Sequence, residues 1–129
     1  MTLLFFSESN NGFGKGFQKS IEQVYEKTEI FRTIRSLSAR LRYCLYDIIG
    51  LVIVIDNIEQ LNKIMSLKEI LMDITIIIIL PEKNNKIISA AYSLRPKYLS
   101  FTDSDQSEIT TIVSEIIASS KKKKTIFED

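Results

Sequence analysis

Two stretches of this chain limit what it can fold into more than any others. Gly50-Leu51-Val52-Ile53-Val54-Ile55-Asp56 and Ile74-Thr75-Ile76-Ile77-Ile78-Ile79-Leu80 are rich in β-branched residues and apolar on both alternating faces. A strand with one face in water alternates apolar with polar positions. A strand apolar on both faces needs cover above and below, as in a parallel sheet packed between helices. Leu3 to Phe6 is a shorter segment of the same kind. Residues 29–34 and 97–101 mix polar with apolar positions, as edge strands do.

Helical periods fill the intervals. Phe17, Ile21, Val24 and Tyr25 share one helix face, as do Ile58, Leu61, Ile64 and Met65, and Ile109, Ile112, Val113, Ile116 and Ile117. Weaker periods cover residues 37–46 and 85–94, and Pro96 ends the second of these. Asp56-Asn57-Ile58-Glu59 and Asp105-Gln106-Ser107-Glu108 each offer a capping acid with a glutamate three residues on. The order βαβαβαβαβα, with right-handed crossovers, predicts an α/β fold: a three-layer, doubly wound, five-stranded parallel sheet of strand order 2-1-3-4-5.

A length of 129 residues suits one domain, expected over residues 1–120. Residues 121–129, with Lys121 to Lys124 and then Ile126-Phe127, read as a basic, frayed tail beyond the last helix. A formal charge of +1 supplies no global attraction for nucleic acid or an anionic membrane, so neither is expected as partner. The chain has no histidine, which removes Ser-His and Cys-His catalysis, histidine metal sites and phosphohistidine relay. Cys44 is the sole cysteine, so no disulfide can form within the chain, and its apolar neighbours suggest a small core residue. The start has no basic leader, and no apolar run approaches the ~20 residues that span a bilayer. A cytoplasmic protein is the expectation. No nucleophile–base pair is evident, so neither an enzyme nor a required cofactor is expected.

In an open parallel sheet, ligands bind beyond the carboxyl ends of the strands, where the strand order reverses. Here the reversal falls between the first and third strands. They deliver Ser7, Glu8 and Ser9 on one side and Asp56 and Asn57 on the other, with the loops after Leu80 and Phe101 bordering the cleft.

With Asp56 closing Leu51-Val52-Ile53-Val54-Ile55 in this order of elements, nearly the whole chain resembles the receiver domains of bacterial response regulators. The resemblance implies a phospho-accepting role for Asp56, magnesium held by Glu8 and Asp56, a hydroxyl after the fourth strand and a lysine after the fifth. Carboxylates suit magnesium, while the hydroxyl and lysine stabilise a bound phosphoryl group. The sequence departs from that set. Ser7-Glu8 replaces an acidic pair, Leu80 or Pro81 replaces the hydroxyl residue, and Phe101 or Thr102 replaces the lysine. A degenerate receiver acting by protein–protein contact is therefore expected, with an atypical phospho-acceptor as the alternative. The plainer reading of Asp56 is a helix cap before Ile58.

The same resemblance implies an interaction surface built from the fourth helix, fifth strand and fifth helix, with Tyr92 and Tyr98 as anchors. Receivers often pair through that face, which admits a homodimer. A further alternative is a flavodoxin-like protein binding flavin or a nucleotide through the 9–17 loop, which carries Gly12, Gly14 and Gly16. Gly14-Lys15-Gly16 lacks the spacing and hydroxyl of a nucleotide-binding P-loop.

Overall fold

A computed structural model of the chain describes residues 1–8, 12–43, 45–103 and 106–128, and of residues 12–14, 45, 106 and 120–128 the backbone only. Cys44, Ser9 to Asn11 and Asp105 lie outside the described residues. Five strands, β1 (Thr2–Phe6), β2 (Thr28–Phe31), β3 (Ile48–Val54), β4 (Ile76–Leu80) and β5 (Tyr98–Phe101), form one sheet of order β2-β1-β3-β4-β5. Every neighbouring pair is parallel, with Phe5 beside Val52, Ile53 beside Ile78 and Leu80 beside Phe101. The helices are α1 (Gly12–Val24), α2 (Ile34–Leu41), α3 (Ile58–Met65), α4 (Lys68–Leu71), α5 (Asn85–Tyr92) and α6 (Gln106–Glu128).

The doubly apolar strands separate two cores. Leu51, Ile53 and Ile55 point to one face with Leu4, Phe6, Ile76, Ile78 and Leu80, where Leu37, Leu41, Leu61, Ile64 and Ala91 from the helices α2 to α5 cover them. Val52 and Val54 point to the other with Leu3, Phe5, Ile77 and Ile79, under Phe17 and Ile21 of α1 and Ile109, Val113, Ile116 and Ile117 of α6. Period-2 side-chain direction turns one apolar run into the floor of both layers. Gly50 lets two segments approach closely: a Cβ there would sit 3.2 Å from the Thr75 carbonyl oxygen.

Several details differ from the sequence reading. Val24 and Ile58, at the end of α1 and the start of α3, are exposed although they fit the apolar periods. A short extra helix, α4, precedes β4. The helix α2 begins at Ile34, because the Thr33 side chain caps it by accepting from Ser36 N–H at 3.1 Å. The last helix does not stop before the lysines. It continues through Lys121–Lys124 to Glu128, since lysine is a good helix former and neither glycine nor proline interrupts it. Of the expected 9–17 loop, Gly12, Gly14 and Gly16 belong to α1. After α5, Arg95 takes a left-handed φ of 55° and Pro96 follows, redirecting the chain into β5.

Candidate functional site

The carboxyl ends of β1 and β3 meet as neighbours, and each is fixed locally. The Ser7 N–H donates to the Phe31 carbonyl at 3.1 Å, and the Ser7 carbonyl accepts from Arg32 Nη1 at 3.1 Å. The other terminal nitrogen of Arg32 donates to the Gln18 side chain, tying the strand ends to α1. On β3, the Ile55 N–H still donates to the Ile79 carbonyl at 2.9 Å, so Asp56 follows directly from the paired sheet.

Asn57, not Asp56, caps α3: its side-chain oxygen accepts from the Gln60 N–H at 2.9 Å. The capping reading of Asp56 is thereby corrected by one position. Gln60 completes a variant of the capping box. Its Oε1 accepts from the Asp56 backbone N–H at 2.9 Å, which orients the amide so that Nε2 faces the other way. There Nε2 donates to Glu8 Oε2 at 2.9 Å and to Asp56 Oδ2 at 3.3 Å. Gln60 is 7% exposed, and all three hydrogen-bonding positions used here lie on one amide group. The structure therefore brings Glu8 and Asp56 together through an uncharged donor that sequence reasoning missed. Asn57-x-x-Gln60 was the signal available for it.

Beside this cluster a cleft of about 380 Å³ opens between the β3–α3 and β4–α5 connections. Asp56, Asn57 and Ile58 line one wall, and Pro81, Glu82, Asn84, Lys86 and Ile87 the other. Asp56 is exposed at its mouth, whereas Glu8 is half-buried. At the ends of β4 and β5, the Thr102 N–H donates to the Leu80 carbonyl at 2.8 Å and its hydroxyl to the Pro81 carbonyl at 3.3 Å. The Lys83 ammonium lies 5.5 Å from the centre of the Phe101 ring, a cation–π distance.

No family model matches the sequence, and no curated protein matches it. Solved structures do resemble it. One is the signal receiver domain described as that of the response regulator NarL from Mycobacterium tuberculosis, with a TM-score of 0.60, 10% identity, and coverage of 88% of this chain and 93% of that one. Another is the cyanobacterial phytochrome response regulator RcpA in phosphorylated form, with a TM-score of 0.60, 17% identity, and coverage of 89% and 90%. A protein described as pilus assembly-related from Burkholderia pseudomallei has a TM-score of 0.62, 13% identity, and coverage of 92% and 90%. The fold is that of a response-regulator receiver.

The receiver fold gives the departures a place. Asp56 lies two residues beyond β3, Leu80 ends β4 with Pro81 next, and Phe101 ends β5 with Thr102 next. Magnesium takes near-octahedral oxygen ligands at about 2.0–2.1 Å. The pair Glu8 and Asp56 presents oxygens, but the point between them receives the Gln60 NH₂ group, whose hydrogens repel a cation. Among the described residues, no third carboxylate or thiol side chain joins this pair. The residues do not fit a resident magnesium ion.

The two tyrosines of the expected interaction surface part company. Tyr92 on α5 is 60% exposed. Tyr98 on β5 is half-buried, and its hydroxyl donates to Glu108 of α6. That bond is the main cause of a Tyr98 pKa above its ordinary 10.0, followed by burial and the Glu108 charge.

Proposed function

We propose that this receiver-fold domain signals by contact with another protein and does not use efficient phosphoryl switching. The observation that carries this reading is the pairing of Leu80 with Phe101 at the ends of β4 and β5. The receiver resemblance puts a hydroxyl and a lysine there, the groups that would bind and neutralise a phosphoryl dianion. Leucine donates no hydrogen bond and phenylalanine carries no charge. Losing such groups from a transition state typically costs several kcal/mol, so an aspartyl phosphate would form slowly and couple weakly to the fold.

The contact surface in this reading is α5, β5 and α6, with Tyr92 supplying exposed aromatic area and Tyr98 a fixed edge. A homodimer through the same elements is compatible with it. Among the described residues no helix is long and apolar enough to cross a membrane, so the partner is sought with the chain in solution.

One observation favours a competing reading. Asp56 is exposed at the mouth of the cleft, where a small phosphodonor has access. Incubation with acetyl phosphate and magnesium, followed by intact mass, decides between them. An unchanged mass supports the contact reading. A phosphoryl adduct that disappears in Asp56→Asn would overturn it.

A further inference from the structure

We infer that the Gln60 carboxamide is the built-in occupant of the acidic pocket, so that the protein is indifferent to divalent cations until this one side chain is changed. The inference deepens the contact-only reading and takes its biological meaning from it. It commits to a specific chemistry: residue 60 decides whether Glu8 and Asp56 are held by an internal hydrogen-bond donor or are available to a hard, oxygen-seeking cation.

Three features carry it. The amide reaches both carboxylates, Glu8 at 2.9 Å and Asp56 at 3.3 Å, although they come from separate strand ends. Its orientation is fixed from behind by the Asp56 N–H at 2.9 Å, so the NH₂ group cannot turn away without leaving that donor unpaired. It is also buried, at 7% exposure, and its own backbone N–H is held by the Asn57 cap at 2.9 Å. A cation entering this pocket must displace a side chain already anchored at both ends. Two neutral N–H bonds thus supply the bridging of two like charges that a metal would otherwise supply.

Substituting one atom reverses the preference. Gln60→Glu replaces the NH₂ donor with an oxygen, making a third carboxylate while keeping the side chain's length. Three carboxylates then converge, which repels without a cation and suits a hard divalent ion.

Thermal unfolding of the full chain, followed by far-ultraviolet circular dichroism in chelator and in millimolar magnesium or manganese, tests this. The native protein is expected to melt at the same temperature in all three. Gln60→Glu is expected to melt lower in chelator and to rise by about 5 °C or more with metal, and adding Glu8→Gln to it should abolish that rise. Should Gln60→Glu fold only with metal, the inference is supported. Should it fold under no condition, Gln60→Ala replaces it: saturable manganese binding supports the inference, and none overturns it. A native protein stabilised by metal as strongly as the variant, or a folded Gln60→Glu indifferent to metal, also overturns it. Phosphoryl transfer is read by mass and metal binding by melting, so either proposal can fail alone.

Discussion

Gln60 donates its side-chain amide to Glu8 across 2.9 Å, joining the first turn of α3 to the end of β1 over a sequence separation of 52 residues. The contact is possible because β1 and β3 are neighbours in the sheet, with Phe6 beside Ile53. It joins the ends of two neighbouring strands at the carboxyl edge of the sheet. The strand ends are held together by hydrogen bonds that need no ligand.

A double-mutant cycle measures that bond. Glu8→Ala and Gln60→Ala each remove one partner, and the double variant removes both. Hydrogen bonds to charged groups contribute about 1.5–3 kcal/mol when shielded, and Glu8 is only half-buried. A coupling energy of about 1–2 kcal/mol by urea denaturation is the expected result. Additivity within about 0.3 kcal/mol would mean that the amide does not bridge the pair.

The cap of α3 yields a second prediction. Asn57→Ala should destabilise the protein by about 1 kcal/mol, the usual cost of losing a capping side chain. Asp56→Asn keeps a donor-compatible oxygen near Gln60 and leaves the cap untouched, so it should cost less. Denaturant midpoints of these variants and of Asp56→Ala, at unchanged m-value, are the measurement. Because asparagine caps as well as aspartate, a negligible loss in Asn57→Ala beside a loss of about 1 kcal/mol in Asp56→Ala would restore the capping role to Asp56.

These residues also mark where the sequence stopped being informative. The alternation of Leu51, Ile53 and Ile55 against Val52 and Val54 made the two-faced sheet legible, because burial on both faces leaves no room for polar residues. Strand order followed from the connection rules. The site was legible only as positions: Glu8 and Asp56 both accept from Gln60, but that link between them does not show in a periodic pattern. The capping signal was legible in the wrong register, since Asp56-x-x-Glu59 and Asn57-x-x-Gln60 overlap and both satisfy the pattern. Only the fold decides, by burying Gln60 and exposing Glu59. Helix ends escaped for a related reason. Val24 and Ile58 fit an apolar face by spacing, yet each lies at a helix terminus and is exposed.

The bond between Tyr98 and Glu108 predicts a pH signature on the proposed contact face. The phenol donates to the carboxylate, so its neutral form is favoured in the folded protein and its pKa is raised above 10.0. In the unfolded chain the phenol titrates near its ordinary value. The linkage has one sign: the stabilisation is fully present below the unfolded pKa and is lost as pH rises through the folded one. Tyr98→Phe removes the hydroxyl and keeps most of the ring packing. The stability difference between native protein and variant should therefore be constant from about pH 7 to 9 and shrink toward zero above about pH 10. It should be small throughout, because water screens so exposed a pair. Urea denaturation across that pH series measures it. A difference that widens above pH 10, or is absent at neutral pH, would show that this hydroxyl does not tie β5 to α6, and would remove Tyr98 as the fixed edge of the surface that Tyr92 extends.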